Sequence, residues 1–207
     1  ARRDGPLGQL LPKASKVKRV EHFSALPFGR VAEFVDHLRN KQTPASLALE
    51  FLILTAARTG EVIGARWDEI DVANALWIIP ANRMKAKREH RVPLSGRCLE
   101  ILAKLSENKN VHGWIFPSPS DARRSLSNGA FLQLMNNMND GIYSEYTPHG
   151  FRSAFRDWAA ETTNYPPEVV EMALAHTIRN QVEAAYRRGD LLEKRRQLME
   201  DWAAIIP

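Results

Sequence analysis

The sequence contains one cysteine, Cys98, and no apolar run long enough to cross a bilayer. A lone cysteine excludes a disulfide framework and a zinc ribbon, and a reducing, cytoplasmic setting is the simplest expectation. A membrane helix needs about 20 apolar residues, whereas the most apolar run, residues 51–57, is interrupted by Thr55. These absences exclude a disulfide-stapled fold and a membrane span.

Sequence signatures of nucleotide and metal chemistry are also missing. There is no Gly-rich phosphate loop ending in Gly-Lys-Ser/Thr, no dinucleotide-binding fingerprint and no His-Glu-x-x-His pair. The six histidines, at positions 22, 37, 90, 112, 149 and 176, show no metal-ligand spacing with one another or with the cysteine. We therefore expect neither a nucleotide-dependent enzyme nor a zinc enzyme.

Positive charge is in excess and locally clustered. Lysine and arginine total 29 against 24 aspartates and glutamates, a formal net charge of +5. Residues 83–91 set five basic residues against one acidic residue, and residues 187–196 set five against two. Because neither cluster is interleaved with bulky apolar residues, both favour a phosphate-rich partner over a membrane surface.

Hydrophobic periodicity predicts a mainly helical domain (α+β) that carries one small antiparallel β-hairpin. Residues 1–23 mix Gly, Pro and Lys without a period, which indicates a linker or extended arm. Gly60 is expected to cap the second helix. The predicted helices cover residues 29–40, 44–57, 95–105, 127–139, 148–163, 167–174, 180–188 and 191–205, and the predicted strands cover residues 76–79 and 91–94.

The segment TPHGFR combines a helix start with two groups that bind anions. Thr147 is the predicted N-cap, which places His149 and Arg152 in the first turn. The free N–H groups of a helix start attract anions, so this imidazole and guanidinium would form a phosphate clamp. In the alternative, His149 caps locally and Arg152 pairs with Asp157 or Glu161. The segment alone leaves both interpretations open.

Each of three further segments can be interpreted either as structural or as functional. Arg58 follows an apolar helix in ARTGE, and its pair with Glu61 is either structural or leaves a free guanidinium edge for a phosphate. Lys85 lies in the predicted hairpin loop, where such a lysine is ordinarily a solvated surface residue. His176 and Tyr186 lie ten residues apart in apolar surroundings, where both types usually serve packing.

In this order the segments resemble the tyrosine recombinase (phage integrase) family. ARTGE resembles its first arginine box, MKAKREHRVPL its lysine hairpin, TPHGFR its His-x-x-Arg box and LAHTIRNQVEAAY its His-to-Tyr box. The last 35 residues are most similar to integrases of temperate and satellite phages and of genomic islands. The resemblance covers residues 24–207, the implied catalytic domain. Since the chain begins at Ala1, we expect a piece of a longer protein whose amino-terminal DNA-clamping domain is joined through residues 1–23.

The resemblance implies site-specific DNA recombination, the integration and excision of a mobile element through a 3′-phosphotyrosine intermediate. Tyr186 would be the nucleophile, Lys85 the general acid, and His149 would assist proton transfer at the tyrosine. Three residues would bind the phosphate, namely Arg58, Arg152 and His176, with Glu61 supporting the first. Three more would contact the DNA backbone: Lys87, Arg88 and Arg179. No metal or other cofactor is implied.

The implied partners are double-stranded DNA attachment sites, further copies of the chain in a homotetramer on DNA, and accessory DNA-bending proteins, in a bacterial cytoplasm.

Apolar residues after Tyr186 recur at helical spacing, and they either pack on the chain's own core or dock on a neighbouring protomer. Two other functions use similar features: relaxation by a type IB topoisomerase, and DNA binding without catalysis. The subgroup-like tail favours a recombinase over the first, and the complete catalytic set favours an enzyme over the second.

Overall fold

The computed structural model describes residues 24–107, 109, 111–176 and 189–206. Within them the prediction of a mainly helical domain with a small antiparallel sheet is confirmed. The predicted arm over residues 1–23 and the predicted helix over residues 180–188 lie outside the described residues. The helices are α1 (Val31–Arg39), α2 (Pro44–Thr55), α3 (Thr59–Ile63), α4 (Gly96–Ser106), α5 (Ala130–Asn136), α6 (Gly150–Thr162), α7 (Pro167–Ala173) and α8 (Leu192–Ala204), with short 3-10 turns at Phe28–Arg30, Trp67–Glu69 and Asn139–Gly141.

Helix α2 is the centre of the core. Thr43 caps it by accepting a hydrogen bond from the backbone N of Ser46 at 3.1 Å, and the helix packs against α1, α4, α5 and α8. Its one buried carboxylate, Glu50, lies 2.8 Å from both Arg39 of α1 and Arg97 of α4, and these pairs fix α2 to its neighbours. No helix of the described residues, α2 with its 12 residues included, is long and apolar enough to cross a bilayer.

The end of α2 differs from the prediction that Gly60 caps it. The helix stops at Thr55 because Ala56 adopts the left-handed conformation with φ 48°. Gly60 lies inside the next helix, α3, which begins where the carboxylate of Glu61 accepts a hydrogen bond from the backbone N of Arg58. The early stop therefore moves Arg58 off α2 and onto the start of a separate short helix.

The sheet contains β1 (Ile70–Asp71), β2 (Leu76–Ile79) and β3 (His90–Pro93) in that spatial order, all antiparallel. The first strand was not predicted, because two residues are too few to show an alternating pattern. The third begins one residue earlier than predicted. The connection between β2 and β3 is the basic loop, defined here as residues 80–89, in which residues 85–89 are exposed.

The C-terminal helix α8 packs on the chain's own core. Trp202 is fully buried, and its Nε1 donates to the carbonyl of Ile53 in α2 at 2.8 Å. Its ring lies 5.4 Å from that of Phe155 and 5.1 Å from that of Trp158, between centroids. Three further residues of the tail are also buried, namely Leu198, Met199 and Ile206. Of the two open interpretations of this tail, the structure shows intramolecular packing for these residues.

Trp202→Ala is expected to lower the free energy of unfolding by about 3–5 kcal/mol, because it empties a large core volume. Trp202→Phe should cost less, since it loses chiefly the hydrogen bond to Ile53. Urea unfolding of the chain without DNA measures both, and Ile205→Ala is the control because Ile205 is 38% exposed. An unchanged unfolding free energy in Trp202→Ala would contradict intramolecular packing of α8.

Candidate active site

Arg58 is held by the helix that it begins. Its Nη1 donates to Oε1 of Glu61 at 2.8 Å, and its backbone N donates to Oε2 of the same carboxylate at 2.8 Å. The side chain of Glu61 is 6% exposed and that of Arg58 is 25% exposed. Glu61 is therefore both the cap of α3 and the counter-ion of Arg58, while part of the guanidinium remains accessible.

Arg152 is buried at 4% exposure, in the first turn of α6. Its Nη1 donates to the carbonyl of Ala56, and its Nη2 donates to the carbonyl of Leu174 at 2.6 Å. These two carbonyls hold the guanidinium. The alternative pairing of Arg152 with Asp157 or Glu161 is not what the structure shows. Burial lowers the pKa of Arg152 to about 10, and the positive charge of Arg58 acts in the same direction. Arg152 still carries its proton at neutral pH.

The carbonyls that hold the two arginines lie at the C-terminal ends of α2 and α7. Arg152 binds Ala56 and Leu174, and Arg58 Nη2 donates to the carbonyl of Ala175 at 3.3 Å. A helix end leaves its last carbonyls without intrahelical partners and carries partial negative charge. Both ends close with a left-handed alanine, Ala56 at φ 48° and Ala175 at φ 49°. Helix ends thus serve as the acceptors that fix both guanidiniums.

The two histidines of the predicted site lie next to these arginines. His176 follows α7, and its Nε2 lies 3.2 Å from Nη2 of Arg152 while its Nδ1 lies 2.6 Å from Oε2 of Glu171. His149 is the residue before α6. Burial lowers the pKa of His149, and the nearby Arg152, Arg58 and His176 act in the same direction. The neighbouring cationic groups therefore all favour the neutral form of His149.

The start of α6 is set by a close approach of the chain. The helix begins at Gly150, two residues later than predicted, and Thr147 Oγ1 accepts from the backbone N of Gly150 at 3.2 Å. A Cβ on Gly150 would lie 2.6 Å from the carbonyl O of Ser24, so only glycine fits there. Ser24 also accepts from the backbone N of Thr147 at 3.3 Å. These contacts fix the turn that presents His149.

The basic loop and its flanks contain two partly buried cations that pair with carboxylates and three exposed cations. Arg83 donates to both carboxylate oxygens of Glu69 and to the backbone carbonyl of Glu61, which ties the base of the loop to α3. Arg91, in β3, lies 2.7 Å from Asp190. The remaining cations of the cluster are exposed, and these are Lys85, Lys87 and Arg88. Sequence composition cannot separate the two groups, because the partners of the first are distant in the chain.

The described residues thus bring together Arg58, Glu61, His149, Arg152 and His176. Tyr186 and Arg179 lie outside the described residues, and their places stay predictions. Among the described residues, no group of three or more His, Cys, Asp or Glu side chains could hold a metal ion.

Two further residues at this site were missed by the motif comparison. Glu171 contacts His176, and no motif marks it. His90, at the start of β3, is the other: burial lowers its pKa to about 4, the charge of Arg195 acts in the same direction, and Glu61 opposes them. At neutral pH His90 is therefore uncharged. A partly buried histidine of this kind has no distinguishing spacing in the sequence.

Comparison with known proteins gives consistent matches. The family model described as "Phage integrase family" matches residues 25–191. Prophage integrase IntA of Escherichia coli K12 is 40% identical over 157 residues, covering 74% of this chain and 37% of the relative. The integrase of Enterobacteria phage P4 is 32% identical over 205 residues, covering 92% and 47%. The chain spans less than half the length of both relatives.

Solved structures share the fold. The Tn1549 transposon integrase in complex with circular intermediate DNA matches with a TM-score of 0.60 at 14% identity, covering 90% of this chain and 66% of that one. A lambda integrase tetramer bound to a Holliday junction matches with a TM-score of 0.56 at 17% identity, covering 78% and 49%. At these identities the likeness establishes the fold.

His90 gives the site an acid-sensitive contribution to stability. Its pKa is about 6.5 when unfolded and about 4 when folded, so between these values the unfolded chain binds more protons and stability falls as pH falls. His90→Gln should remove this component. Between pH 7 and pH 4, the unfolding free energy of the unsubstituted chain should therefore fall by up to about 3 kcal/mol more than that of His90→Gln. Urea unfolding across this range measures the shift, with His112→Gln, at an exposed position, as control; a pH-independent difference would contradict it.

Proposed function

The chain belongs to the phage integrase family, since the family model matches residues 25–191, and from this premise we propose that it is the catalytic domain of a tyrosine-type site-specific DNA recombinase. Its reaction would be the integration and excision of a mobile element. The observation that carries the proposal is the convergence of two arginines and two histidines at the ends of α2 and α7. Such a cluster of two fixed guanidiniums and two imidazoles suits a phosphodiester.

Arg58 and Arg152 would bind the non-bridging oxygens of the scissile phosphate. A guanidinium has five N–H donors, and the side-chain bonds of Arg58 to described residues use two of them, to Glu61 and to Ala175. The remaining donors suit a planar, bidentate contact with phosphate, which lysine cannot make. Because protein groups already fix the guanidinium, it would bind the transition state without reorganising.

Tyr186 would attack the phosphorus atom through its phenolic oxygen while the bond from phosphorus to the 5′-oxygen breaks. The phenol proton would pass to His149, whose lowered pKa leaves it neutral at pH 7 and able to accept. The ammonium of Lys85 would protonate the departing 5′-oxygen. The products are a 3′-phosphotyrosine and a 5′-hydroxyl, and attack by a second strand's 5′-hydroxyl reverses the step, so no external energy source is consumed.

Exposed cations beside this centre would hold the DNA backbone. Lys87 and Arg88 are exposed in the basic loop, and Arg179 is proposed from the sequence alone. The solved lambda integrase tetramer on a Holliday junction supports assembly of this chain into a homotetramer on DNA. Trp202 of α8 is buried in the core, so a docking contact between protomers would use exposed residues of the tail such as Ile205, which directly follows α8 and is 38% exposed.

The nucleophile can be tested by covalent trapping on a nicked suicide DNA that carries a candidate attachment core. We expect a denaturation-resistant protein–DNA adduct that persists in EDTA and is absent from Tyr186→Phe, because only the phenol supplies the attacking oxygen. Persistence of the adduct in Tyr186→Phe, or its loss in EDTA, would overturn the mechanism.

Two further outcomes separate the alternative functions. DNA binding without an adduct, from this chain and from a longer protein with its amino-terminal region, would indicate a non-catalytic binding module. An adduct without strand exchange between two duplexes would indicate a topoisomerase.

The general acid can be tested in the same assay. Lys85→Ala should reduce cleavage by about 100-fold or more, because the 5′-oxygen would leave unprotonated. A substrate with sulfur at the bridging 5′ position should restore cleavage, since a thiol with a pKa of about 8.5 leaves without an acid. Lys104→Ala, which removes a lysine at an exposed position of α4, is the matched control and should cleave both substrates normally. Failure of the sulfur substrate to rescue Lys85→Ala would exclude this role.

A further inference from the structure

The contacts of His176 determine which of its ring nitrogens carries a proton. Its Nε2 lies 3.2 Å from Nη2 of Arg152, and its Nδ1 lies 2.6 Å from Oε2 of Glu171. A guanidinium only donates hydrogen bonds and an ionised carboxylate only accepts them. The Nε2 atom is therefore the acceptor, and the proton of the neutral ring is on Nδ1, facing Glu171.

This arrangement conflicts with what the proposed reaction needs from the ring. To stabilise a phosphate, Nε2 of His176 must donate a hydrogen bond, because phosphate oxygens accept. The Nδ1 proton cannot simply move to Nε2, since the carboxylate of Glu171 would then face a lone pair. The remaining way to donate from Nε2 is to bind a second proton from solvent and keep the first.

Glu171 is well placed to favour that second proton. Its Oε2 faces the ring, its Oε1 lies 2.8 Å from Nε of Arg156, and the side chain is 29% exposed. The backbone also orients the ring, because the N–H of His176 donates to the carbonyl of Glu171 at 3.0 Å in the turn that ends α7. One residue therefore holds the ring through both its side chain and its main chain.

The other charges around the ring oppose its protonation. Arg152 of α6 contacts the ring, Arg156 of α6 contacts Glu171, and Arg58 binds the carbonyl of Ala175, the residue before His176. Among the described groups named here, Glu171 is the single negative charge in direct contact with the ring. Removing that charge should leave His176 among cations, where binding a second proton is disfavoured.

We propose that Glu171 is a positioning residue that supports the doubly protonated form of His176, so that engagement of the scissile phosphate takes up a proton. When the phosphate replaces Arg152 as the partner of Nε2, that nitrogen binds a solvent proton and donates it in a hydrogen bond. The carboxylate of Glu171 neutralises the resulting charge. This inference rests on the proposed function, because it assigns a task within that reaction.

Single-turnover cleavage of the suicide substrate tests the role, with DNA affinity measured in parallel. Glu171→Gln keeps an oxygen that can accept from Nδ1 but loses the charge, and we expect the cleavage rate to fall by about tenfold to a hundredfold. DNA affinity should stay within about threefold, since the contact involves one phosphate of many. Glu161→Gln, at an exposed position of α6, removes the same charge away from the ring and should cleave normally.

Two further measurements separate this role from a purely structural one. The cleavage rate should decline at high pH, and in Glu171→Gln the decline should begin at lower pH, because the protonated ring has lost its counter-charge. In a His176→Asn background, Glu171→Gln should have no further effect on the rate, since Glu171 acts through that ring. Calorimetry of DNA binding to Tyr186→Phe, in buffers of different ionisation enthalpy, should show proton uptake that Glu171→Gln diminishes.

An unchanged pH profile together with a full effect of Glu171→Gln in the His176→Asn background would overturn the inference. Wild-type cleavage with an unaffected Glu171→Gln would do the same while leaving the proposed function intact. Absence of any Tyr186-dependent adduct would instead remove the proposed function itself.

Discussion

Two helices end on a left-handed alanine, and the arrangement of the site depends on those two ends. A left-handed backbone costs a residue other than glycine about 1 kcal/mol or more. If α2 continued for another turn, the carbonyl of Ala56 would bond along the helix and would no longer be available to Arg152. Arg58 would then lie on the surface of α2, away from the end of α7. The strain at Ala56 and Ala175 is offset by the guanidiniums that satisfy the carbonyls beside them.

The same arrangement explains how several cations coexist in a small volume. Arg152 is almost fully buried, and burial and Arg58 both lower its pKa, so its charge is held at a cost in desolvation. Helix-end dipoles and the carboxylates of Glu61 and Glu171 reduce that cost without neutralising the region. A phosphodiester bound there would supply the missing negative charge. The charge distribution that costs the folded chain stability is therefore the one that would favour a bound anion.

The sequence predicted some of these features and not others, for physical reasons. The buried face of α1 follows from periodicity, because local burial repeats with the helix, and the nearly all-round apolar composition of α2 indicates a buried helix. The motif order pointed to Arg58, with Glu61 as its partner, and to His149, Arg152 and His176, but not to Glu171 or to the carbonyls that hold the guanidiniums. Arg83 and Lys85 have the same charge and nearly the same position, yet only Arg83 is tied to Glu69, 14 residues earlier in the chain. Partners of this kind arise from tertiary contacts, which no local pattern records.

The contact between Ser24 and the start of α6 links the entry of the chain to the chemistry of the site. The carbonyl of Ser24 lies where a side chain on Gly150 would be, and it also binds the N–H of Thr147. Tension along the preceding polypeptide would therefore act directly on the turn between Thr147 and Arg152. A domain attached before Ser24 would be connected to His149 and Arg152 through these two backbone contacts. A displacement of the chain at Ser24 would therefore reach the backbone that carries His149 and Arg152 directly.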